Sequence, residues 1–147
     1  MPSIRRAVAT DDLDFILIAK TFFKESAYDL RFDRRIVYEN FHNIVNHPDY
    51  AIFVATEGGD LVGLLAAQKG STLFSADSIA VEMGWYVSPE FRNAKVALQL
   101  MQAFEGWAKE VGCKFASMCD MHDLQDLQPL YERKGYKLTE KSYVKEL

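Results

Sequence analysis

The sequence predicts one mixed α/β (α+β) domain, because helix-like and strand-like runs alternate along a chain of modest length. Its 147 residues suit a single domain with one hydrophobic core. A composition of 49% hydrophobic and 26% charged residues is that of an ordinary globular protein. No linker, internal repeat or low-complexity segment interrupts the pattern, so we assign residues 1–147 to one domain.

A short first strand, Ser3–Val8, is followed by two predicted amphipathic helices. Thr10 or Asp11 can cap the first helix, whose early aspartates suit the positive end of a helix dipole. The second helix has a clearer period, with Asp33 as its candidate cap and Pro48 after its end.

A hairpin and a third strand are predicted next. Ala51–Thr56 and Leu61–Gln68 flank a turn that contains two glycines, which is typical of a hairpin. The third run, Ser78–Val87, carries Gly84 in its middle. A glycine inside a strand indicates a bulge or a close approach of another group.

The helix after this third run has the most regular pattern in the sequence, and Gly112 ends it. Its apolar face consists of Val96, Ala97, Leu100, Met101, Phe104, Trp107, Ala108 and Val111. The remaining elements are a buried strand at Lys114–Cys119, a short helix at Leu127–Lys134 closed by Gly135, and closing strands at Tyr136–Thr139 and Ser142–Lys145. The predicted order is β-α-α-β-β-β-α-β-α-β-β.

Charge and hydropathy narrow the classes of partner. A net charge of -4 argues against nucleic acid as the main partner, because phosphate binders usually carry a basic surplus. No uncharged apolar run approaches the roughly 18 residues of a membrane span, so no membrane partner is expected. The first residues lack the apolar stretch of a signal peptide, which favours a cytoplasmic protein.

The two cysteines are predicted to be reduced. If Cys113 and Cys119 share one strand, they lie about 20 Å apart at roughly 3.3 Å per residue. A disulfide needs Cα atoms within about 7 Å, so the pair cannot bridge within one chain. Free thiols agree with a cytoplasmic location.

The turn into the long helix is a candidate phosphate site, because the first amides of a helix lack partners within it. Such loops normally contain glycine where the backbone approaches the ligand. This loop, Arg92-Asn93-Ala94-Lys95-Val96-Ala97, contains none. We infer that Lys95 already has helical geometry, so its side chain is either a solvated lysine or a further phosphate contact.

Two segments resemble the GNAT superfamily of N-acetyltransferases, in particular its small single-domain members from phage and bacterial genomes. VEMGWYVSPEFRNAKVALQLMQAFEGWAKEVG resembles the acetyl-CoA-binding segment, whose loop reads Arg or Gln, two residues, Gly, one residue, then Gly or Ala. Arg92 matches the first position and Ala97 the last, while Lys95 replaces the middle glycine. LYERKGYKLTEKSYVKEL resembles the C-terminal segment, so the resemblance covers nearly the whole chain.

The resemblance implies a fold and a reaction. The fold is a mixed, mostly antiparallel sheet of about six to seven strands flanked by about four helices, splayed between strands 4 and 5. The reaction is transfer of an acetyl group from acetyl-CoA to a primary amine by direct attack in a ternary complex. The alternative is a non-catalytic GNAT-fold module that binds CoA or a partner protein, which the missing loop glycine would favour.

The resemblance also implies the cofactor contacts. Pantetheine would lie along the backbone of Trp85, Tyr86 and Val87, where a backbone amide would stabilise the oxyanion. The pyrophosphate would be held by Arg92, Asn93, Ala94, Lys95, Val96 and Ala97.

Two side chains are the candidate catalytic groups. Glu82 matches the position of a glutamate base in many members, and alternation places it on the same face as Gly84 and Tyr86. A solvent-facing or salt-bridged glutamate is the alternative, and a water chain could relay the proton. Tyr131 matches the tyrosine that protonates the leaving thiolate in many members; the alternative is a core tyrosine with a satisfied hydroxyl.

The acceptor would bind between the first two helices. There, Glu25, Tyr28, Asp29 and Phe32 combine aromatic walls with carboxylates, which suits a cation. Phe32 could equally pack in the core. The acceptor is left open between a small-molecule amine and a protein amine, and the assembly between a monomer and a homodimer, because exposed closing strands in this fold often pair.

No metal is expected. Cys119, Asp120, His122 and Asp123 have ligand-type side chains, but one histidine with scattered carboxylates is a poor zinc site. These residues are better explained as the polar loop after the fifth strand.

Overall fold

Five strands pair, in the order in which they occur along the chain, into one mixed sheet. The computed structural model that shows this describes residues 1–26, 29–92, 94–120 and 126–147. The first four strands pair antiparallel, and the fifth pairs parallel to the fourth. The strands are β1 (Ser3–Arg6), β2 (Tyr50–Glu57), β3 (Asp60–Ser71), β4 (Ser78–Val87) and β5 (Phe115–Ser117).

In these described ranges, four α-helices accompany the sheet: α1 (Asp12–Glu25), α2 (Arg34–Ile44), α3 (Ala94–Glu110) and α4 (Gln128–Arg133). Asp33 caps α2 as predicted, because its carboxylate accepts hydrogen bonds from the amides of Arg35 and Ile36. Asp11 precedes α1 without capping it; its carboxylate accepts from the Val8 amide and from Arg5. Among the described residues, none of the helices has the length and apolar character needed to span a membrane.

The helices lie on two faces of the sheet. On one face, α3 buries Leu100, Phe104 and Trp107 against apolar residues of β2, β3 and β4. On the other face, Ile18 of α1 and Phe41 of α2 are buried against a second set of apolar side chains from the sheet. This two-sided burial of apolar surface is the main stabilising contribution to the fold.

The predicted sheet of six to seven strands is too large. Residues 136–147 contain no strand, although Tyr136–Thr139 and Ser142–Lys145 were expected to form two. Every residue from 137 to 147 is exposed, so the segment buries too little apolar surface to support a hairpin. The fifth strand is also shorter than predicted and is an edge strand, with Phe115 62% exposed rather than buried.

The fourth and fifth strands separate after a short pairing, as the resemblance implies. β5 pairs with β4 only at Ile79, Ala80 and Val81. Among the described residues, the part of β4 from Glu82 to Val87 has no strand partner on that side. The parting strands leave backbone of β4 open towards the gap.

Candidate active site

A bulge in β4 determines which face of the sheet carries Glu82. Across the ladder with β3, Ala67 pairs with Glu82 and Ala66 pairs with Gly84, so Met83 is the extra residue. Directly paired residues share a face, whereas Ala66 and Ala67 are adjacent and point to opposite faces. Glu82 and Gly84 therefore lie on opposite faces of the sheet.

Gly84 and Tyr86 face α1. A Cβ added to Gly84 would lie 3.6 Å from the ring of Phe22, and the rings of Phe22 and Tyr86 are 5.4 Å apart. The prediction that Glu82 lies on the same face as these two residues is wrong, because strict alternation does not allow for the bulged residue.

Glu82 instead contacts the chain just beyond β5. Its carboxylate lies next to the thiol and the backbone of Cys119. Burial raises the pKa of Glu82 from 4.5 to about 7, and the adjacent thiol and backbone of Cys119 oppose that rise only in part. The carboxyl group therefore titrates near neutral pH.

Tyr131, the second predicted catalytic residue, meets the same stretch of chain. Its hydroxyl donates to the backbone carbonyl of Cys119 at 2.5 Å, and the side chain is buried. Burial raises the pKa of Tyr131 above its ordinary value, and the nearby carboxylates of Glu82 and Asp120 raise it further. Tyr131 is therefore neutral at physiological pH, and its proton is directed at a carbonyl oxygen in this structure.

Aromatic rings surround Tyr131. The ring of Trp85 lies 6.2 Å away and that of Tyr136 lies 5.6 Å away. Burial also raises the pKa of Tyr136 to about 12. The buried Trp85 Nε1 and Tyr136 Oη have no hydrogen-bond partner in the part of the chain that the structure describes. Buried polar atoms without a protein partner are rare, and they mark this surface as one suited to polar contacts with a ligand.

The predicted phosphate loop leads directly into α3. The helix begins at Ala94, so Lys95 lies within its first turn, as its inferred helical geometry requires. The Lys95 side chain is exposed, whereas Val96 is buried. The positive end of the helix dipole therefore lies at this turn. Asn93 lies outside the described residues.

Arg92 is held by three contacts within the protein. Its Nε donates to the backbone carbonyl of Val87 at 2.7 Å, and its Nη2 donates to Glu25 Oε2 at 2.7 Å. Its guanidinium also lies over the ring of Tyr86, 5.2 Å from the centroid. Arg92 thus connects the end of β4 to the end of α1.

The described members of the predicted acceptor site have different partners. Glu25 is the last residue of α1 and pairs with Arg92. Phe32 packs against Phe23 with ring centroids 5.8 Å apart, which agrees with the alternative that it is a packing residue. Asp29 is exposed, and Tyr28 lies outside the described residues.

The sequence predicted Cys119 only as part of the polar loop after the fifth strand, without a contact to a catalytic group. Its carbonyl accepts from Tyr131, and its thiol and backbone lie next to Glu82. A residue at the carboxyl end of a strand parallel to β4 was the available signal, because such ends commonly carry site residues in open sheets. Both cysteines are free, as predicted.

The part of the chain that the structure describes contains no group of three or more His, Cys, Asp or Glu side chains placed to hold a metal ion. His122 and Asp123 lie outside it.

Comparisons with known proteins give a consistent picture. Residues 15–136 match the family model described as the acetyltransferase (GNAT) family. A search of curated protein sequences gave no significant match.

Three solved structures illustrate the structural similarity. The aminoglycoside N-acetyltransferase AAC(6')-Iy in complex with CoA has a TM-score of 0.83 at 19% identity, covering 100% of this chain and 95% of that one. A predicted acetyltransferase with acetyl-CoA from Clostridium acetobutylicum has 0.82 at 15%, covering 99% and 96%. Glucosamine-6-phosphate N-acetyltransferase from Arabidopsis thaliana has 0.79 at 14%, covering 99% and 98%. At these identities, the likeness shows a shared fold.

Proposed function

We propose that this chain, which belongs to the acetyltransferase (GNAT) family, transfers an acetyl group from acetyl-CoA to a primary amine by direct attack in a ternary complex. One observation carries the proposal: Glu82, whose pKa is raised to about 7, and Tyr131, whose hydroxyl donates to the Cys119 carbonyl, both lie against Cys119. A carboxylate with a pKa near the working pH is suited to accept a proton, and a neutral tyrosine is suited to donate one.

The chemistry assigns one proton transfer to each side chain. Glu82 takes a proton from the ammonium form of the acceptor, directly or through water. The amine nitrogen then forms a bond to the thioester carbonyl carbon, and the carbon–sulfur bond breaks. The thiolate that leaves takes the hydroxyl proton of Tyr131. The bonded nitrogen gives its second proton to water, and the Tyr131 phenolate regains a proton from water, so the amide and the CoA thiol leave uncharged and no covalent enzyme intermediate forms.

Tyr131 has to change its hydrogen-bond acceptor during this sequence. Its proton bonds to the Cys119 carbonyl in the structure, and a hydroxyl hydrogen rotates readily to a better acceptor. A thiolate formed within reach would be that acceptor, because hydrogen bonds to charged groups are stronger than those to neutral ones.

The covalent route is disfavoured by the state of the nearest thiol. Burial raises the pKa of Cys119, and the negative charge of Glu82 raises it further. A thiol attacks as the thiolate, so a cysteine with a raised pKa is a poor nucleophile at neutral pH.

We assign the cofactor to the open edge of β4 and the start of α3. The backbone of Trp85, Tyr86 and Val87 has no strand partner on the β5 side among the described residues. Apart from the Val87 carbonyl, which accepts from Arg92, it has hydrogen-bonding capacity for pantetheine. The start of α3 and the guanidinium of Arg92 provide positive charge for the diphosphate.

A small-molecule amine is the proposed acceptor. Two of the similar structures are named for small amine-bearing substrates, an aminoglycoside and glucosamine-6-phosphate. Carboxylates near the end of α1, Glu25 and Asp29, would attract a cationic amine.

Calorimetry with acetyl-CoA, followed by thiol release across a panel of amines, tests the function. We expect binding below millimolar concentration and turnover with at least one cationic amine. For that amine, kcat/KM should rise with pH to a plateau, with an apparent pKa of about 7, as Glu82 loses its proton. Absence of binding at millimolar concentration would contradict the enzyme. Binding without turnover would favour a CoA-binding module.

A further inference from the structure

Arg92, which is predicted to hold the cofactor, forms an ion pair with Glu25, which is predicted to hold the acceptor. Arg92 Nη2 donates to Glu25 Oε2 at 2.7 Å, and Arg92 Nε donates to the Val87 carbonyl at 2.7 Å. Val87 is itself one of the residues assigned to pantetheine. The guanidinium therefore occupies two groups that the proposed ligands would use.

This ion pair is weak enough for a ligand to replace Glu25 as the partner of Arg92. The Arg92 side chain is 45% exposed and that of Glu25 is 42% exposed, so water screens their attraction. A diphosphate carries more negative charge than one carboxylate and matches the planar guanidinium in a bidentate way. Exchange of Glu25 for a diphosphate at Arg92 is therefore favourable.

We propose that Glu25 competes with the cofactor's diphosphate for Arg92, so that the Arg92–Glu25 pair opens when the cofactor binds. The inference rests on the proposed function, because it assumes that Arg92 contacts the diphosphate. Opening of the pair leaves the Glu25 carboxylate at the end of α1 without its cationic partner.

The exchange would couple the two substrates. A carboxylate that has lost Arg92 attracts another cation, and a protonated amine is the cation that the reaction needs. Cofactor binding therefore strengthens the site for a cationic acceptor, and by linkage a bound cation at Glu25 strengthens cofactor binding.

If Glu25 assisted cofactor binding instead of competing with it, removal of its charge would change the affinity for the cofactor in the opposite direction. If Glu25 held Arg92 in the orientation that the diphosphate needs, its removal would weaken cofactor binding, because preorganisation would be lost. The direction of one affinity change therefore separates competition from preorganisation.

The experiment is a double-mutant cycle on the affinity for CoA, measured by calorimetry at low salt. The variants are Glu25→Gln, Arg92→Ala and the double variant, and circular dichroism checks that each is folded. We expect Glu25→Gln to bind CoA about two- to five-fold more tightly, the range for losing one exposed ion pair. In the Arg92→Ala background, the same change should have little effect.

A matched control separates competition from general charge. Glu90→Gln removes one negative charge from the short helical turn Pro89–Phe91, which directly precedes Arg92. It does not remove Glu25, the partner of Arg92. It should change the affinity for CoA less than Glu25→Gln does. Pantetheine, which lacks the diphosphate, should bind Glu25→Gln and the unmodified protein equally.

The outcomes are distinct. If the unmodified protein fails to bind CoA, the proposed function itself fails. If it binds CoA and Glu25→Gln binds no more tightly, or gains equally in the Arg92→Ala background, only the competition is overturned.

Discussion

The two faces of β4 present different chemistry although they belong to one strand. On the α1 side, Gly84 and Tyr86 meet the ring of Phe22, and the Arg92 guanidinium lies over the Tyr86 ring. On the other side, Glu82 lies near the hydroxyl of Tyr131, and both groups are desolvated. One face carries packing and cation–π contacts, and the other carries the two groups to which we assign proton transfer.

A single extra residue separates these environments. Because Met83 is bulged, Glu82 pairs across the ladder with Ala67, whose face is covered by α3, while Gly84 pairs with Ala66 on the α1 side. In a regular strand, residues two apart would share a face. The bulge therefore allows a carboxylate and a packing glycine to lie two positions apart with different surroundings.

The largest expected effect comes from removing the proposed base. Glu82→Gln keeps the shape of the side chain but cannot accept the amine proton, so kcat/KM should fall about 10²- to 10⁴-fold. Thiol release with the best amine of the panel measures it. The pH-dependent limb near 7 should also disappear from the residual rate.

Glu110→Gln is the matched control, because Glu110 is an exposed glutamate at the last position of α3. Its rate should equal that of the unmodified protein. Retention of full activity by Glu82→Gln would assign the base to another group, such as a water chain.

Tyr131→Phe should have the next largest effect. It removes the proton for the leaving thiolate and the hydrogen bond to Cys119, but leaves the ring packed between Trp85 and Tyr136. We expect kcat to fall about 10- to 100-fold with the affinity for acetyl-CoA nearly unchanged. Stopped-flow single turnover and calorimetry measure the two quantities separately. An unchanged single-turnover rate would leave Tyr131 with the packing role of a core tyrosine.

The elements that could be predicted from sequence are those with strong local signals. The bounds of β4 and the cap at Asp33 were predicted correctly, because turn residues and periodicity mark them. The prediction of two closing strands was wrong. Alternation in residues 136–147 does not tell whether a strand at the edge of the sheet is available to pair with them.

The same limit applies to the site. Glu82 and Tyr131 were singled out by resemblance, but their common partner, Cys119, is brought there by the pairing of β4 with β5, which no local pattern encodes. The face of Glu82 was mispredicted because Gly84 indicated either a bulge or a close approach without saying which residue is bulged. That residue, Met83, is determined by the register with β3.

Stability should depend on pH through Glu82 in a direction that the raised pKa determines. Between pH 4.5, the ordinary value, and about 7, the folded protein holds a proton that the unfolded chain releases, so stability falls as pH rises through this window. Glu82→Gln has no such ionisation. Relative to the unmodified protein, it should therefore gain about 3 kcal/mol between pH 4.5 and pH 8.

Urea unfolding of both proteins at pH 5.5 and pH 8 measures the difference between their free energies of unfolding. Most of the gain should already appear between these two pH values. An equal difference between the two proteins at both pH values would mean that Glu82 is not desolvated.

The smallest expected effect tests whether the α1 face is for packing alone. An added Cβ at Gly84 would lie 3.6 Å from Phe22, an ordinary contact, so Gly84→Ala should change the free energy of unfolding by less than about 1 kcal/mol. At Gly63, the same atom would lie 3.2 Å from the Tyr86 carbonyl oxygen and 3.3 Å from Leu100, so Gly63→Ala should cost about 1–3 kcal/mol. Gly84→Ala should also keep kcat/KM within about twofold, because its methyl group points away from Glu82. A folded Gly84→Ala variant with lost activity would show that the reaction takes place on the α1 face, and the separation of roles between the two faces would then be wrong.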